Sequence, residues 1–523
     1  MATNPEVIPK ELRYGGVPTI PQSRSYLFKQ RSEYVEYDIS QGSTIEINIP
    51  RLQRTYLTKD SYLKFNMVFN FKIGTAGTQA TKIAYSTMDR AGAFGLFDRI
   101  EVYDYMGSTL LERISGVGDL MLLLMDSHTD SLESSNFFNV TAGTGFATVD
   151  TGKDATSAAV FPNVMNPNLG DILWGAQDST LTASKQFSVV RQFCIPIPSF
   201  LGLFSNKFIP LHNGFTLKLV CNNPEYAVIC TTGGSATFTE ESITLGNIEF
   251  CAQVLELGPV AEGLIMSSSE GQPISLHTKT FRLFKDVVSG SYGSSPQSSF
   301  RLDLDLNVIS LTNLLWFFKP LQYYDTSTTS TKTIPAADSS VQNVGQRVRN
   351  YLERWNFQYG SSFLPNVNGI YAMQSYYPTL KATTPSNWSY QNQMENYVEF
   401  MKARHMWSAE RKGTCINGKE YFTDTYNPSA ISIFDYNDDP DNQNLSCGKF
   451  ASGLDLELVS GKSGDVICGI NTNGMNTCIN GYFTNKNMTS SDGTGTCDAL
   501  ILCWAEYDAF VNIMPGVATT VSF

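Results

Sequence analysis

The chain has 523 residues and a mass of 57.9 kDa, which exceeds what one hydrophobic core ordinarily supports and predicts two domains. Hydrophobic residues make up 42% and charged residues 16%, which excludes a disordered chain, and the many Gly, Tyr and Phe residues favour strands joined by turns. A net charge of -12 excludes an extended basic face that would bind nucleic acid along its length.

The N-terminal 32 residues differ in charge from the rest. Five basic residues stand against Glu6 and Glu11, a local balance of five minus two, or +3, and four prolines interrupt the segment. We predict an extended arm over residues 1–32 that faces something acidic or runs onto a neighbouring subunit, although an ordinary solvated tail has the same composition. The basic residues are Lys10, Arg13, Arg24, Lys29 and Arg31.

Apolar runs in the chain are short. The N-terminus, MATNPEVIPKELR, lacks the apolar centre of a signal peptide. The longest strongly apolar run, LMLLLM at residues 120–125, is too short to span a bilayer. We therefore expect no transmembrane segment and no export through a signal peptide.

Alternation of apolar and polar residues predicts strands in the first half. TIEINI at residues 44–49 and YLKFNMVFNF at residues 62–71 each place every second, apolar residue on one face. Residues 99–112, RIEVYDYMGSTLLE, predict a two-stranded hairpin that turns at Gly107 and Ser108. A helix is predicted to follow, from Glu112 to Asp126, with its apolar run in the core.

The second half repeats these features in the same order. Residues 352–365, LERWNFQYGSSFLP, predict the same hairpin, and Gly360 follows Gly107 by 253 residues (360 minus 107). A helix is predicted from Tyr390 to Met406, and alternating strands are predicted in RLDLDLNV and LDLEL, at residues 301–308 and 454–458.

Duplication of one β-sandwich explains this repeat. We predict a mainly β chain of two tandem antiparallel jelly-roll sandwiches with short helices and long loops, because about eight strands with long connections form a jelly roll. The expected boundaries are the arm at 1–32, a first jelly roll at 33–260, a linker at 261–271 and a second jelly roll at 272–523.

The histidines and cysteines of the chain match no catalytic or metal-binding pattern. The four histidines have no partner at H-E-x-x-H spacing, and the ten cysteines form no C-x-x-C pair. We expect no cofactor, no metal and no enzyme activity. An alternative is a tandem jelly-roll carbohydrate-binding protein or glycosidase, in which aromatic loops would stack on sugars. The histidines are His128, His212, His277 and His405.

Several segments resemble the double jelly-roll major capsid proteins of double-stranded DNA viruses, especially those of virophages and polinton-like viruses. The resemblance lies in IEINIPRLQRTYLTKDSYLKFNMVF at 45–69, FDRIEVYDYMGSTLLERISGVGDL at 97–120, the segment at 194–220 with its two Pro-containing stretches, and the closing strand at 505–523. SFLGLF at 199–204 replaces the PFWF stretch of large-virus members, which favours the small-virus ones.

The resemblance implies a structural subunit that forms homotrimeric, pseudo-hexameric capsomers of an icosahedral shell around double-stranded DNA. Three chains with two sandwiches each fill a six-sided plan, which tiles a surface. The implied partners are other copies of the chain, penton and minor capsid proteins and, weakly through the basic arm, the genome. Assembly would take place inside the host cell and place the chain in the virion.

Aromatic residues in loops are the implied anchors of trimer contacts, since aromatics dominate buried interfaces. Packing within their own loops is the alternative role for these side chains. The candidates are Tyr323, Tyr324, Tyr371, Tyr376, Tyr377 and Trp388.

Overall fold

A computed structural model describes most of the chain. The described residues are 23–40, 42–75, 83–88, 91–105, 107–128, 137–144, 172–177, 185–223, 227–233, 236–268, 272–288, 299–320, 347, 352–372, 394–404, 416, 421, 449–457, 469–483, 499–514, 517 and 519–522.

Among its described residues, the first half contains thirteen strands and two α-helices. The strands are β1 (Arg24–Arg31), β2 (Glu36–Asp38), β3 (Thr44–Ile49), β4 (Thr55–Thr75), β5 (Ile83–Met88), β6 (Phe97–Asp104), β7 (Leu110–Ser115), β8 (Ile172–Gln177), β9 (Lys185–Pro196), β10 (Phe208–Pro210), β11 (Phe215–Cys221), β12 (Val228–Gly233) and β13 (Ala236–Glu256). The helices are α1 (Val117–His128) and the single turn α2 (Asn139–Ala142).

The second half follows helix α3, and its described residues form ten strands and helix α4. The strands are β14 (Ile274–Val288), β15 (Ser299–Leu304), β16 (Leu311–Pro320), β17 (Leu352–Tyr359), β18 (Ser362–Leu364), β19 (Ile370–Tyr371), β20 (Ser452–Asp455), β21 (Thr477–Phe483), β22 (Ala499–Ile513) and β23 (Thr520–Ser522). The helices are α3 (Pro259–Ser268) and α4 (Glu395–Ala403).

Each half is a sandwich of two antiparallel sheets with the same strand order. In the first half, one sheet runs β1-β13-β4, with β9 and β10 both paired to β4, and the other runs β3-β11-β6-β7. In the second half, the corresponding sheets run β14-β22-β16-β20 and β15-β21-β17-β18. The first strand of each half therefore pairs with its last long strand, β1 with β13 and β14 with β22, which is the connectivity of an eight-stranded jelly roll. A further small sheet, β12-β5-β8, belongs to the first half.

The repeated hairpins occupy the same position in the two sandwiches. Strands β6 and β7 form the edge of one sheet, and β17 and β18 form the edge of its counterpart. The turn glycines Gly107 and Gly360 have φ angles of 67° and 57°, a conformation that costs other residues free energy. The repeat predicted from the sequence is confirmed by this shared topology.

Alternating residues line the core as predicted. In β3, Ile45, Ile47 and Ile49 are fully buried, and Ile47 pairs with Leu217 of β11. In β15, Leu302 and Leu304 are buried, while Asp303 between them faces solvent. Residues 454–458, predicted as a strand, continue β20 only to Asp455.

Both predicted helices are present but shorter. The helix expected from Glu112 begins at Val117, because residue 112 still belongs to the hairpin strand and Gly116, with φ of 65°, separates strand from helix. The helix expected over 390–406 is Glu395–Ala403. The linker expected at 261–271 consists largely of α3.

The predicted arm needs a correction at its C-terminal end. Residues 24–31 do not belong to an arm: they form β1, the first strand of the first sandwich, paired along its length with β13. Tyr26 and Phe28 alternate with exposed residues and pack against the core, an alternation that the basic residues mask in the sequence. The first jelly roll therefore begins at Arg24 and not at residue 33, and Lys10 and Arg13 lie outside the described residues.

Replacing either turn glycine by alanine should destabilise the protein through the backbone alone. A Cβ on Gly107 would meet nothing within 4 Å, and one on Gly360 would meet only the Met475 sulfur at 3.4 Å. We expect Gly107→Ala and Gly360→Ala each to lower the free energy of unfolding by about 1 kcal/mol. Urea unfolding measures this, with Ser361→Ala as the control at a neighbouring exposed position, and unfolding curves that coincide with wild type would contradict the expectation.

Candidate functional site: the contact between the two sandwiches

The two sandwiches meet through a buried contact built around Trp504. Its indole lies on the outer face of β22, and its Nε1 donates a hydrogen bond to the carbonyl of Ser115 at the end of β7, 3.0 Å away. Gly116 follows directly, and a Cβ there would lie 3.1 Å from the Trp504 ring and 3.2 Å from Leu283. Trp504 is fully buried, so β22 is covered at this position by the hairpin of the first sandwich.

A second glycine brings the two backbones together. Gly202 precedes a 3-10 turn at Leu203–Ser205, and a Cβ on it would fall 1.9 Å from the carbonyl oxygen of Lys279 in β14. No side chain fits between these two segments. The sandwiches can approach this closely only because residue 202 is glycine.

Helix α1 contributes carboxylates to this contact. Asp119 forms an ion pair with Lys319 of β16, and Asp126 accepts a hydrogen bond of 2.6 Å from Arg347 Nη2. The side chains of Lys319 and Arg347 are almost completely buried. Losing one partner of such a pair would leave a buried charge uncompensated, so these pairs fix the position of α1 against the second sandwich.

Arg404, just after α4, extends this polar layer. Its Nε lies 3.4 Å from the hydroxyl of Ser127 at the end of α1, and its Nη1 lies 4.0 Å from a carboxylate oxygen of Glu506. Burial lowers the pKa of the Arg404 guanidinium, and the charge of Glu506 opposes that shift. The layer thus joins α1 to both the helix and the last long strand of the second sandwich.

Glu112 links the hairpin to the turn at the contact. Its carboxylate oxygens accept hydrogen bonds from the N–H groups of Gly202 and Leu203, at 2.8 and 3.0 Å. Burial raises the pKa of Glu112 to about 7, although these N–H groups act in the opposite direction. Burial and then the charge of Glu112 raise the pKa of Tyr507, in the second sandwich, to about 12.

Helix α3, which links the two sandwiches, and the segment after β22 are also held by residues of the first sandwich. Glu262 of α3 accepts a hydrogen bond of 2.9 Å from the Tyr56 hydroxyl, and His212 Nε2 lies 3.0 Å from its other oxygen. Asn213 donates hydrogen bonds to the carbonyls of Met514 and Val517, at 3.0 and 2.9 Å. The first sandwich therefore holds both the linker helix and the segment after β22.

One group of side chains has the composition of a catalytic triad but not its arrangement. Asp508 accepts a hydrogen bond of 2.5 Å from the Ser310 hydroxyl, and His277 Nε2 lies 2.8 Å from its other oxygen. The carboxylate stands between the serine and the histidine, so the histidine is not positioned to remove the serine proton. Ser310 also accepts a hydrogen bond from the Gly469 N–H, which gives this buried group a structural role.

In the described part of the chain, no three His, Cys, Asp or Glu side chains are grouped so that they could hold a metal ion. Nor is any of the described helices long and apolar enough to cross a membrane.

Solved structures of viral shell proteins share this architecture. The Faustovirus major capsid protein matches with a TM-score of 0.51 and 10% identity, over 96% of this chain and 92% of that chain. The mavirus major capsid protein matches with a TM-score of 0.50 and 9% identity, over 95% of this chain and 90% of that chain. No protein-family model and no curated protein matches the sequence.

The chain has a double jelly-roll fold. At identities of 9 and 10%, the likeness to the two capsid proteins is one of fold. It extends over 96 and 95% of this chain and therefore includes both sandwiches.

The site residues predicted from the sequence are only partly within the described double jelly roll. Arg24, Lys29 and Arg31 lie on β1, where Arg24 pairs with Glu256 at 2.7 Å and Arg31 with Glu249 at 3.1 Å. Tyr371 lies in β19, and its N–H donates to Glu395. The other candidate aromatics lie outside the described residues: Tyr323, Tyr324, Tyr376, Tyr377 and Trp388.

Sequence reasoning missed the residues that build the contact. Gly116, Gly202 and Trp504 carry no motif of their own. Gly116 and Gly202 lie in segments that carry the resemblance to capsid proteins, but the resemblance assigns them no role. Gly116 and Gly369 are 253 residues apart (369 minus 116), but Gly116 follows the last residue of β7 that pairs with β6, whereas Gly369 precedes β19, which still pairs with β17.

Gly202→Ala should weaken the contact between the sandwiches. The methyl group would overlap the Lys279 carbonyl, and overpacking of this kind costs roughly 1–3 kcal/mol. We expect a lower thermal unfolding midpoint. The matched control is Gly263→Ala in α3, where a Cβ meets nothing within 4 Å and the midpoint should not fall. Equal midpoints for the two variants would contradict the close packing.

Glu112 should make stability depend on pH. Its pKa is raised from 4.5 to about 7 in the folded state, so the folded chain holds a proton that the unfolded chain releases in that interval. The resulting stabilisation is complete below the unfolded pKa and is lost as the pH rises through the folded one. Relative to Glu112→Gln, the wild-type thermal midpoint should therefore fall between about pH 5 and about pH 8. Parallel pH profiles for the two proteins would refute this assignment.

Proposed function

We propose that the chain is a major capsid protein, which forms homotrimeric, pseudo-hexameric capsomers of an icosahedral double-stranded DNA virus shell. The observation that carries the proposal is the pair of equivalent jelly rolls joined by a buried contact. Such a chain is one rigid block with two similar lobes, and three blocks around a threefold axis present six similar lobes. A six-sided unit tiles a shell without gaps.

The similarity to the Faustovirus and mavirus major capsid proteins supports this role. It gives no support to the carbohydrate-binding or glycosidase alternative. We assign the chain a structural role in the virion and no catalytic one. In this role the close contact between the sandwiches keeps the two lobes at a fixed angle.

Further partners follow from the same proposal. Penton and minor capsid proteins would complete the shell, which would assemble inside the host cell. The segment before β1, with Lys10 and Arg13, would lie on the inner side and make weak contact with the genome. The surface as a whole is acidic, so any such contact is confined to this short segment.

Native mass tests the proposal directly. A trimer has three times 57.9 kDa, or about 174 kDa, and mass photometry of the purified chain should give that value. Negative-stain images should contain six-sided particles and, under some conditions, closed shells. A chain that remains at 57.9 kDa at every concentration, or that binds glycans as a monomer, would overturn the capsid assignment.

A further inference from the structure

Glu112 is a carboxyl group enclosed between the two sandwiches. It lies in β7 opposite Val102, a core residue of β6, so its side chain points inward, and only 3% of the residue is exposed. The turn that supplies its two N–H donors, at Gly202 and Leu203, is the same turn that packs against the backbone of β14. The carboxyl group therefore lies where the second sandwich covers the first.

Strand β14 contributes one polar group to this carboxyl. Thr280 Oγ1 is buried and has no other hydrogen-bond partner among the described residues. Burial raises the pKa of Glu112 to about 7, and the Thr280 hydroxyl, like the two N–H groups, acts in the opposite direction because it favours the carboxylate. A residue of the second sandwich thus acts on the proton of a residue in the first.

No described residue forms an ion pair with Glu112. Tyr507 nearby is neutral, because burial and then the charge of Glu112 raise its pKa to about 12 against the effect of Arg282. An ionised Glu112 is therefore a buried charge without a counter-charge, which is strongly unfavourable unless water reaches it. The other charged or titratable side chains of the surrounding strands have partners of their own: Arg113 with Glu101, Lys279 with Glu457, His277 with Asp508, Arg404 with Glu506, and Lys207 with the ring of Phe208.

The contact between β14 and the first sandwich is the boundary that can open to admit water. Strand β7 is paired with β6, and β14 is paired with β22 along its whole length, from Ile274 to Val288. No main-chain hydrogen bond joins the described residues of β14 to those of β7 or of the turn at Gly202. Opening this contact therefore breaks packing and side-chain contacts but leaves both sheets intact.

We propose that Glu112 is a proton-operated latch of this contact: with the neutral carboxyl β14 packs on the turn, and ionisation opens the contact locally while both sandwiches stay folded. The ion pairs of α1 involve other residues and keep the sandwiches attached. Thr280 is a positioning residue of the latch, because its hydroxyl lowers the pH at which the closed form loses its proton. The latch works within one chain and goes beyond the proposed assembly, on which it does not depend.

Amide hydrogen exchange of the purified chain locates the opening. The reporters are the N–H groups of Gly202 and Leu203, and the reference is β11, which lies between β3 and β6 inside the first sandwich. Each rate is divided by the intrinsic exchange rate at the same pH. With a pKa of 4.5 in the open form and about 7 in the closed form, the open fraction should rise roughly 30-fold between about pH 5.5 and about pH 8.5.

Two comparisons decide whether Glu112 is the latch. The β11 amides should stay protected over the same pH range, and the rise at the turn should be absent in Glu112→Gln, which cannot ionise. Turn and β11 amides that exchange together would mean that the whole sandwich unfolds. An equal rise in Glu112→Gln would mean that another group titrates. Either result would overturn the proposal.

Thr280→Val tests the part played by the second sandwich. The variant lacks a hydroxyl that favours the carboxylate, so the closed form should keep its proton to a higher pH, and the rise in exchange should continue beyond that of the wild type. The matched control is Thr278→Val, the same change two residues earlier in β14, which should leave the profile unchanged. A Thr280→Val profile that coincides with wild type, or an equal shift in both variants, would overturn the role of Thr280.

Discussion

The close packing of the first hairpin on the last long strand of the chain is the contact on which the rest of the structure depends. Gly116 and Gly202 remove the side chains that would hold the two sandwiches apart, and Trp504 fills the space that results. The buried ion pairs of α1 then select one orientation, because any other would leave buried charges without partners. Two separate sandwiches thereby become one body.

Much of this architecture could be predicted from the sequence because strand alternation and turn glycines are local signals. The alternation of Ile45, Ile47 and Ile49 is enough to predict a half-buried strand, and the repeated glycines at 107 and 360 indicate the duplication. Strand β1 differs from the predicted arm because basic residues occupy the exposed positions that alternate with Tyr26 and Phe28. The boundary predicted at residue 33 therefore leaves the opening strand out of the first sandwich.

The contact between the sandwiches could not be predicted in the same way. Gly202 and Lys279 are far apart in the sequence, and nothing in either segment specifies the other. Asp119 and Asp126 look like the polar side of an ordinary amphipathic helix until Lys319 and Arg347 are placed opposite them. Such contacts are determined by how two finished surfaces fit, and the alternation pattern of one strand carries no information about a second sandwich.

The topology also sets the order in which the chain can fold on the ribosome. In each sandwich the last long strand to emerge, β13 or β22, inserts between two strands made much earlier. Neither sheet can close until that strand is available, and contacts between such distant segments form slowly. The first sandwich can therefore be complete while the second is still being synthesised. Until β22 leaves the exit tunnel, the surface that will receive Trp504 stays bare, which makes nascent chains vulnerable to premature association for that whole interval.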